Sequence, residues 1–442
     1  MIKDAQEQTL TGATAETAAL YNRAVRAFNL ACGDAVALLD TAREATPGFV
    51  MAHLGKAWML TLARDPVLAG RIGSLIDTAA THTMTERERG HLAALRHASV
   101  GALSAAVLIL DRHVMHYPFD ILAQQVALFL DLYQGRVRWM RDRTARALPL
   151  WPKDLPGYGS MLAYHGFGCE ELGDYDRAED ESREAAELEP TSQFAHHTVA
   201  HVMEMTGRPE DGLGWMAARE PFWSTPEHLN QAHIWWHRAL FHIELGQYDA
   251  ALALYDGPIH ATQRPLALSL TNAPALLWRL EMLGCDVSGR WAEVAALWQG
   301  HADGRCLLFH DMHAAMAELG SDEEALVERR LTAMRATAAS SDEAAPLYRD
   351  VGISLIEGLM AFRRGAYEAA VALLLPVRFD LWRTGGSHAQ RDVIDWTLTE
   401  GAVRGGMRDV ALALAHERLA ARPRSVVNRQ FLRRAEQIVG RA

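Results

Sequence analysis

A short pattern recurs three times along the chain and limits what the chain can fold into. It reads LGDYDRA at 172–178, LGQYDAA at 245–251 and RGAYEAA at 364–370. In each copy a glycine, which readily ends a helix in the left-handed conformation, is followed by a tyrosine and then by small alanines. Apolar residues recur at spacings of three and four, and alternating strand patterns are nearly absent. The pattern therefore predicts helix pairs joined by tight turns.

The first copy belongs to a segment at 159–190 that has the features of a tetratricopeptide repeat. Gly166 and Ala178 are small enough to let two helices approach closely, and Gly173 ends the first helix. Pro190 stops the second helix, because proline has no backbone N–H to donate. Weaker copies of the turn are found at Gly101, Gly135, Gly207, Gly320 and Gly406.

These segments together predict the fold class. We expect an all-α chain, a right-handed α-solenoid of tetratricopeptide-like helix pairs that forms a single superhelical domain over 1–442. The clearest repeats are expected at 87–118, 121–152, 159–190, 193–220, 232–258, 351–377 and 392–423. A generic all-α bundle is the alternative, and the repeat signature favours the solenoid. Three helix starts match the capping box, namely Thr85 with Glu88, Ser321 with Glu324, and Ser387 with Gln390.

Charge and cysteine content exclude several classes of function. The 44 Lys and Arg residues against 55 Asp and Glu residues give a net charge of −11, which opposes binding to nucleic acid or to an anionic membrane. The four cysteines, Cys32, Cys169, Cys285 and Cys306, form no C-x-x-C pair, so neither a zinc knuckle nor a disulfide framework is expected. Without a signal peptide or a long apolar run, a cytoplasmic protein is predicted. The common hydrolase, nucleotide and zincin motifs are also missing.

Five segments go beyond a generic repeat. They read HHTVAHVMEM at 196–205, HIWWHRAL at 233–240, LWRLE at 277–281, LFHDMH at 308–313 and GGSHAQRD at 385–392. In this order they resemble the tetratricopeptide repeat protein 38 family, over nearly the whole chain from about Phe49 onward. The resemblance implies an α-solenoid fold. It implies no settled biochemical activity and carries over no catalytic residues, so the site has to be argued from the residues themselves.

The histidines indicate where such a site lies. Of 20 histidines several cluster in the middle third, and the predicted helix stripe there carries His197, His201, Glu204, His233 and His237. Within each helix these residues are spaced by three or four, which places them on one face. Aligned on the turn glycines Gly207 and Gly246, the two sets fall on the same stripe, which lines the concave groove in tetratricopeptide repeats. We expect His313 on the opposite side, with Asp311 or Arg391.

Two chemistries fit this set of residues. All five members of the stripe, His197, His201, Glu204, His233 and His237, are candidate ligands of a divalent transition metal, the candidate cofactor. His201, His237 and His313 are candidate acids and bases, because histidine titrates near neutral pH. Trp236 and Arg391 complete the expected ligand-binding set, and the neighbouring tryptophans could wall an apolar pocket. For any single histidine, a packed structural role is the alternative.

The function predicted from these observations is the binding of a small molecule or a peptide in a concave groove lined by His, Glu and Trp. The alternative is an enzyme, metal-dependent or using histidine acid–base chemistry, with its active site in that groove. Long joints at 256–274 and 376–390 could close over it. Neither nucleic acid nor a membrane is expected as a partner, and the oligomeric state is left open.

Overall fold

The computed structural model describes residues 2–301 and 307–439, and these residues are almost entirely helical. Within them the β-structure is limited to two isolated bridges, one joining Lys3 to Thr9 and one joining Cys32 to His228. Cys306 lies outside the described residues. No helix in the described ranges has the length and apolar character that crossing a membrane requires. The contacts group the residues into two compact units.

The first unit comprises the described residues up to Val199 together with Arg219–Leu229. Its helices are α1 (Ala15–Leu30), α2 (Ala35–Ala45), α3 (Val50–Leu62), α4 (Ala69–Ala80), α5 (Glu86–Ser99), α6 (Leu103–His116), α7 (Ile121–Tyr133), α8 (Val137–Ala147), α9 (Tyr158–Glu171) and α10 (Tyr175–Leu188). Short 3-10 turns lie at Pro66–Leu68 and Leu148–Leu150. Helices α11 (Gln193–Met205) and α12 (Pro209–Trp223) have residues in both units.

Helices α9 and α10 show how one repeat is built. Gly173 connects them with a φ of +82°, a conformation that costs glycine little. Where they cross, a Cβ added to Gly166 would lie only 2.5 Å from Oγ of Ser182 and 3.3 Å from the carbonyl oxygen of Ala178. The small residues Gly166 and Ala178 therefore allow α9 and α10 to pack closely, as the sequence predicts.

The second unit comprises Ala200–Ala218 and the described residues from Asn230 onward. Its helices are α13 (Gln231–Glu244), α14 (Tyr248–Leu254), α15 (His260–Thr262), α16 (Ala267–Leu270), α17 (Asn272–Met282), α18 (Trp291–Trp298), α19 (Leu308–Gly320), α20 (Glu324–Ala338), α21 (Ala345–Leu347), α22 (Ile353–Arg363), α23 (Tyr367–Val377), α24 (His388–Arg404), α25 (Arg408–Ala421) and α26 (Val426–Glu436). Shorter 3-10 turns lie at Ser288–Arg290, Gln299–His301 and Arg378–Thr384, and π-helical turns at Tyr255–Ile259 and Tyr348–Gly352.

These helices confirm the predicted fold class, all-α with tetratricopeptide-like helix pairs. Neighbours in sequence such as α13 and α14, α22 and α23, and α24 and α25 pack against each other. The glycines between them, Gly246, Gly365 and Gly406, all have positive φ, as the recurring turn predicts. The single domain over 1–442 and the repeat boundaries stay predictions.

Two local predictions are wrong, and both concern the end of α19. Ser321 does not cap α20, because that helix begins at Glu324 with Glu323 before it, and the Ser321 hydroxyl donates to the carbonyl of Glu318 instead. Gly320 is the last residue of α19 and does not make the turn, which falls to Asp322 at a φ of +60°. A Cβ on Gly320 would lie 2.2 Å from the Trp291 ring, so this glycine is needed for packing. The capping boxes that begin at Thr85 and Ser387 are confirmed.

Two glycines of α12 provide a matched test of helix packing in the second unit. A Cβ on Gly212 would lie 2.4 Å from the buried Phe241 ring, whereas a Cβ on Gly214 would meet nothing within 4 Å. We expect Gly212→Ala to lower the free energy of unfolding by about 1–3 kcal/mol, because the ring must shift. Gly214→Ala should leave it unchanged or raise it by about 0.5–1 kcal/mol. Urea unfolding of both variants measures the difference, and equal effects would contradict this packing.

Candidate functional site

Three histidines of the second unit lie against one another inside the helix pairs. His201 comes from α11, and His233 and His237 come from successive turns of α13; we call these three residues the histidine cluster. The rings of His201 and His237 have their centroids 4.5 Å apart, and Nε2 of His237 lies 3.3 Å from Nε2 of His233. All three residues are buried. The stripe spacing in the sequence thus does bring imidazoles from two helices into contact.

His233 is held in place from two sides. Its Nδ1 lies 2.7 Å from Oδ1 of Asn272, and Nδ2 of the same amide donates to the carbonyl of Ser269 at 2.9 Å. Trp236 stacks on the other side of the ring, with centroids 5.4 Å apart and planes 13° from parallel. Burial lowers the pKa of His233 to about 4, so this imidazole is neutral at pH 7. Ser269 and Asn272 come from the 256–274 joint, which therefore supports the cluster.

Glu204 connects the histidine cluster to a buried arginine. Its Oε2 lies 3.3 Å from Nδ1 of His237, and its Oε1 lies 3.8 Å from the Arg422 guanidinium. The residue is only 7% exposed. Loss of water raises its pKa to about 7, although the positive charge of Arg422 and the proximity of His201 work in the opposite direction.

Arg422 in turn belongs to a dense ion-pair network around Asp392. The two carboxylate oxygens of Asp392 accept hydrogen bonds from Arg418 at 2.8 and 3.1 Å, and one of them also accepts from Arg422. The indole Nε1 of Trp396 donates to the same carboxylate at 2.9 Å. Burial alone would raise the pKa of Asp392, but Arg418 and Arg422 hold it well below its usual range.

A third arginine, Arg279, is buried close to this network without a carboxylate in hydrogen-bond contact among the bonds described. It donates to the carbonyls of Ala275 at 2.9 Å and Ala389 at 2.7 Å. Its guanidinium lies between two indole rings, 5.5 Å from the Trp236 centroid and 5.7 Å from the Trp396 centroid. Burial lowers its pKa to about 10, so Arg279 still carries its charge at neutral pH.

A cavity of about 330 Å³ lies next to Glu204 and Arg422. Its buried lining residues are Met203, Glu204, Phe241, Arg422 and Ser425, and its outer lining residues are Gly207, Arg208, Pro209, Glu210, Asp211, Glu244, Leu245, Arg424, Val426 and Arg429. The first turns of α12 and α26 therefore both border it, and Ser425 caps α26 by accepting from the Asn428 amide at 3.1 Å. Glu204 is the one member of the predicted five-residue stripe in this lining.

Two other residues of the predicted site, His197 and His313, make contacts of their own. His197 falls in the first unit, where its ring centroid lies 5.7 Å from that of Phe167. His313 is buried with its Nδ1 2.7 Å from the carbonyl oxygen of Phe309, and burial lowers its pKa to about 3. The candidate role of His313 as an acid or base stays a prediction.

Asp311 and Arg391 are tied into the surrounding structure. Asp311 accepts from Arg330 at 2.8 Å and from the Tyr348 hydroxyl at 2.7 Å. Arg391 donates to the carbonyls of the glycine pair 385–386, which places the start of α24. Both residues therefore have structural contacts of their own, and the expectation that they face the histidine cluster remains a prediction.

Sequence reasoning missed much of what surrounds the cluster. Asn272 and Arg422 lie in no recognisable motif, and the cavity cannot be read from spacing. Asp392 is the last residue of the GGSHAQRD segment, so the sequence did draw attention to it. Its ion-pair partners, Arg418 and Arg422, were not predicted. Long-range ion pairs of this kind join helices that are distant in sequence, so periodicity does not reveal them.

No protein-family model matches the chain. Similar solved structures include a human IFIT1 dimer with PPP-AAAA, 13% identical with a TM-score of 0.42 over 88% of this chain and 90% of that one. The Cut9–Hcn1 hetero-tetramer of the APC/C is 14% identical, with a TM-score of 0.44 over 95% and 76%. A monomeric mutant of IFIT1 with Gppp-AAAA is 13% identical, with a TM-score of 0.45 over 97% and 96%. At these values the similarities carry no inference about a ligand.

Asp392 and Asp395, on one helix, allow a test of the ion-pair network. Asp392→Asn removes the charge that two guanidiniums share, so we expect a loss of about 3–5 kcal/mol in the free energy of unfolding. Burial and the nearby Asp392 raise the pKa of Asp395, so Asp395→Asn should cost less than about 1 kcal/mol. Chemical unfolding at neutral pH measures both values, and a small loss in Asp392→Asn would show that the network contributes little.

The same network should respond to acid in a defined direction. The pKa of Asp392 is lower in the folded chain than in the unfolded chain, so its stabilisation is complete above the unfolded value near 4 and is lost as the pH falls. We therefore expect the stability gap between the wild type and Asp392→Asn to shrink by about 1 kcal/mol from pH 7 to pH 3. A gap that widens on acidification would contradict this assignment.

Proposed function

We propose that the second unit binds a small anionic molecule, of the carboxylate or phosphate class, in the cavity beside Glu204 and Arg422. The observation that carries the proposal is the group of arginines at this cavity, with Arg422 in its buried lining and Arg424 and Arg429 in its exposed lining. The only carboxylate in the buried part of this lining is Glu204, and its pKa is raised to about 7. Near neutral pH Glu204 therefore compensates the buried Arg422 guanidinium only in part. A bound anion would compensate the remaining positive charge, since unpaired buried charge is costly.

Two arginines of the outer lining also favour the binding of an anion. Arg424 and Arg429 are both exposed, and no carboxylate partner is described for either. They stand beside the first turn of α26, whose free N–H groups favour negative charge. Of the acidic lining residues, Glu244 accepts a hydrogen bond from Ser425 at 3.1 Å and is thereby partly satisfied.

The size of the cavity supports a small molecule over a peptide. At about 330 Å³ it lies at the lower end of the range typical of ligand pockets. The ligand predicted from the sequence was to meet His, Glu and Trp side chains in a groove. In the proposed arrangement it meets Glu204 directly and His237 only through Glu204. Nucleic acid is still not expected as the partner, because the net charge of −11 opposes it.

An enzyme remains the second candidate function, favoured by one observation. Glu204 borders the cavity and also contacts His237, so a molecule bound in the cavity would lie one side chain away from the histidine cluster. Acid–base or metal chemistry at the cluster could then reach that molecule. Release of a product from the bound molecule would distinguish this candidate from binding alone.

Membership of the tetratricopeptide repeat protein 38 family is likewise a proposal. It is supported by the order of the five segments between 196 and 392 and by the observed helix pairs. A cytoplasmic location stays a prediction of the sequence.

Anion binding is measured on the full chain with two probes, inorganic phosphate and succinate. We expect saturable binding of one molecule per chain to at least one of them by calorimetry, weakening as salt is added. Arg424→Ala/Arg429→Ala removes two exposed guanidiniums and should weaken binding about fivefold without unfolding the protein. Arg408→Ala, an exposed arginine on α25 away from this lining, is the matched control and should bind like the wild type.

Three results would overturn the proposal. These are the absence of saturable binding for both probes, equal affinity in the wild type and the Arg424→Ala/Arg429→Ala variant, and preferential binding of a short 5′-triphosphate RNA. The last result would point to a ligand like those in the IFIT1 structures with PPP-AAAA and Gppp-AAAA.

A further inference from the structure

We propose that His201, His233 and His237 hold one divalent transition metal ion, of the zinc class, inside the second unit. This goes beyond the proposed anion binding, since it concerns the histidine cluster and not the cavity.

The Nδ1 atoms of His233 and His237 both face oxygen acceptors. Because Nδ2 of Asn272 donates to the Ser269 carbonyl, Oδ1 of Asn272 faces His233, so Nδ1 of that ring carries the proton that it donates. Nδ1 of His237 likewise faces the Glu204 carboxylate at 3.3 Å. In a neutral imidazole with a proton on Nδ1, Nε2 carries a lone pair.

The Nε2 atoms of His233 and His237 lie 3.3 Å from each other. In a metal-free chain, neutral His237 can carry its proton on Nε2 and donate it to Nε2 of His233. When His237 instead carries the proton on Nδ1, toward the Glu204 carboxylate, both Nε2 lone pairs face the same point. A metal ion at that point binds both rings, and neutral imidazole is the form that binds metal.

The spacing of the nitrogen atoms suits a tetrahedral ion. Two ligands that lie about 2.0–2.1 Å from a tetrahedral zinc ion are about 3.3–3.4 Å from each other. The Nε2 atoms of His233 and His237 already have this separation. One nitrogen of His201 lies within 4.8 Å of a nitrogen on each of the other two rings. Three imidazoles thus surround one point, and imidazole selects zinc, copper, iron or nickel over calcium and magnesium.

Asn272 and Glu204 have the role of outer partners. Metal-binding histidines usually donate their other ring N–H to a carboxylate or carbonyl oxygen, which fixes the tautomer and orients the ring. Asn272 provides such an oxygen for His233 and Glu204 provides one for His237.

Another histidine group, in the first unit, directs its ring nitrogens at a carboxylate. His91 and His113 each place Nε2 against one oxygen of Asp120, at 2.8 and 3.0 Å, and Arg87 donates to the same oxygen at 2.6 Å. The second ring nitrogen of His91 accepts from the Trp58 indole at 3.1 Å. The negative charge there is already compensated, so this group is a structural network.

The test uses the full chain purified without a histidine tag. We expect close to one zinc or similar ion per chain by elemental analysis, or, after removal of metal, saturable binding of one Co²⁺ with the visible absorption of tetrahedral cobalt. His233→Ala/His237→Ala should lose this binding. His416→Ala, an exposed histidine on α25, should keep it. Asn272→Ala removes only an outer partner, so the affinity should fall about 10- to 100-fold.

A wild-type measurement keeps the test decisive if the double variant does not fold. X-ray absorption of the Co²⁺-loaded wild type should show imidazole ligands. The proposal is wrong if the wild type binds no ion at one per chain, if the bound ion has no imidazole ligands, or if folded His233→Ala/His237→Ala binds as the wild type does. Phosphate and succinate binding to the metal-free chain is measured separately, so failure of the metal site leaves the anion proposal intact, and the reverse also holds.

Discussion

The ion pair between Arg422 and Asp392 is the interaction on which the polar interior of the second unit depends. Asp392 is the first acceptor in a chain of contacts that runs through Arg422 to Glu204 and from Glu204 to His237. These four side chains are mostly shielded from water. Each is therefore stabilised by the charge or the hydrogen bond of its neighbour in this chain of contacts. If Asp392 were neutral, Arg418 and Arg422 would lose the negative charge that they share.

Glu204 is the point where two kinds of chemistry meet. Toward Arg422 it borders the cavity that is also lined by the exposed Arg424 and Arg429, and toward His237 it contacts an imidazole. A metal at the cluster would favour the charged carboxylate, whereas an anion in the cavity would compete with that carboxylate for Arg422. Occupation of one site therefore changes the electrostatic conditions at the other, and the two affinities are expected to be coupled reciprocally.

Local rules predicted the helix pairs well and failed where packing decided the outcome. Gly173 and Gly246 end helices because glycine takes a positive φ at little cost, and this holds whatever packs nearby. The turn predicted at Gly320 and the cap predicted at Ser321 were also based on neighbouring residues in the sequence alone. There the Trp291 ring leaves no room for a Cβ on Gly320, and the turn moves to Asp322. A sequence motif does not contain the aromatic ring of another helix that packs against it.

By itself, the sequence determined the helical class, the turns and the spacing of His201 from Glu204 and of His233 from His237, because these follow from helix periodicity and backbone conformation. Only the tertiary structure decided which partners those side chains have. Asn272 contacts His233, Arg422 contacts Glu204 and Asp392 contacts Arg422. These partners come from distant parts of the sequence, because helix packing buries polar groups that must then find partners wherever the fold provides them. Periodicity describes one helix at a time, whereas a site of this kind is a property of several helices packed together.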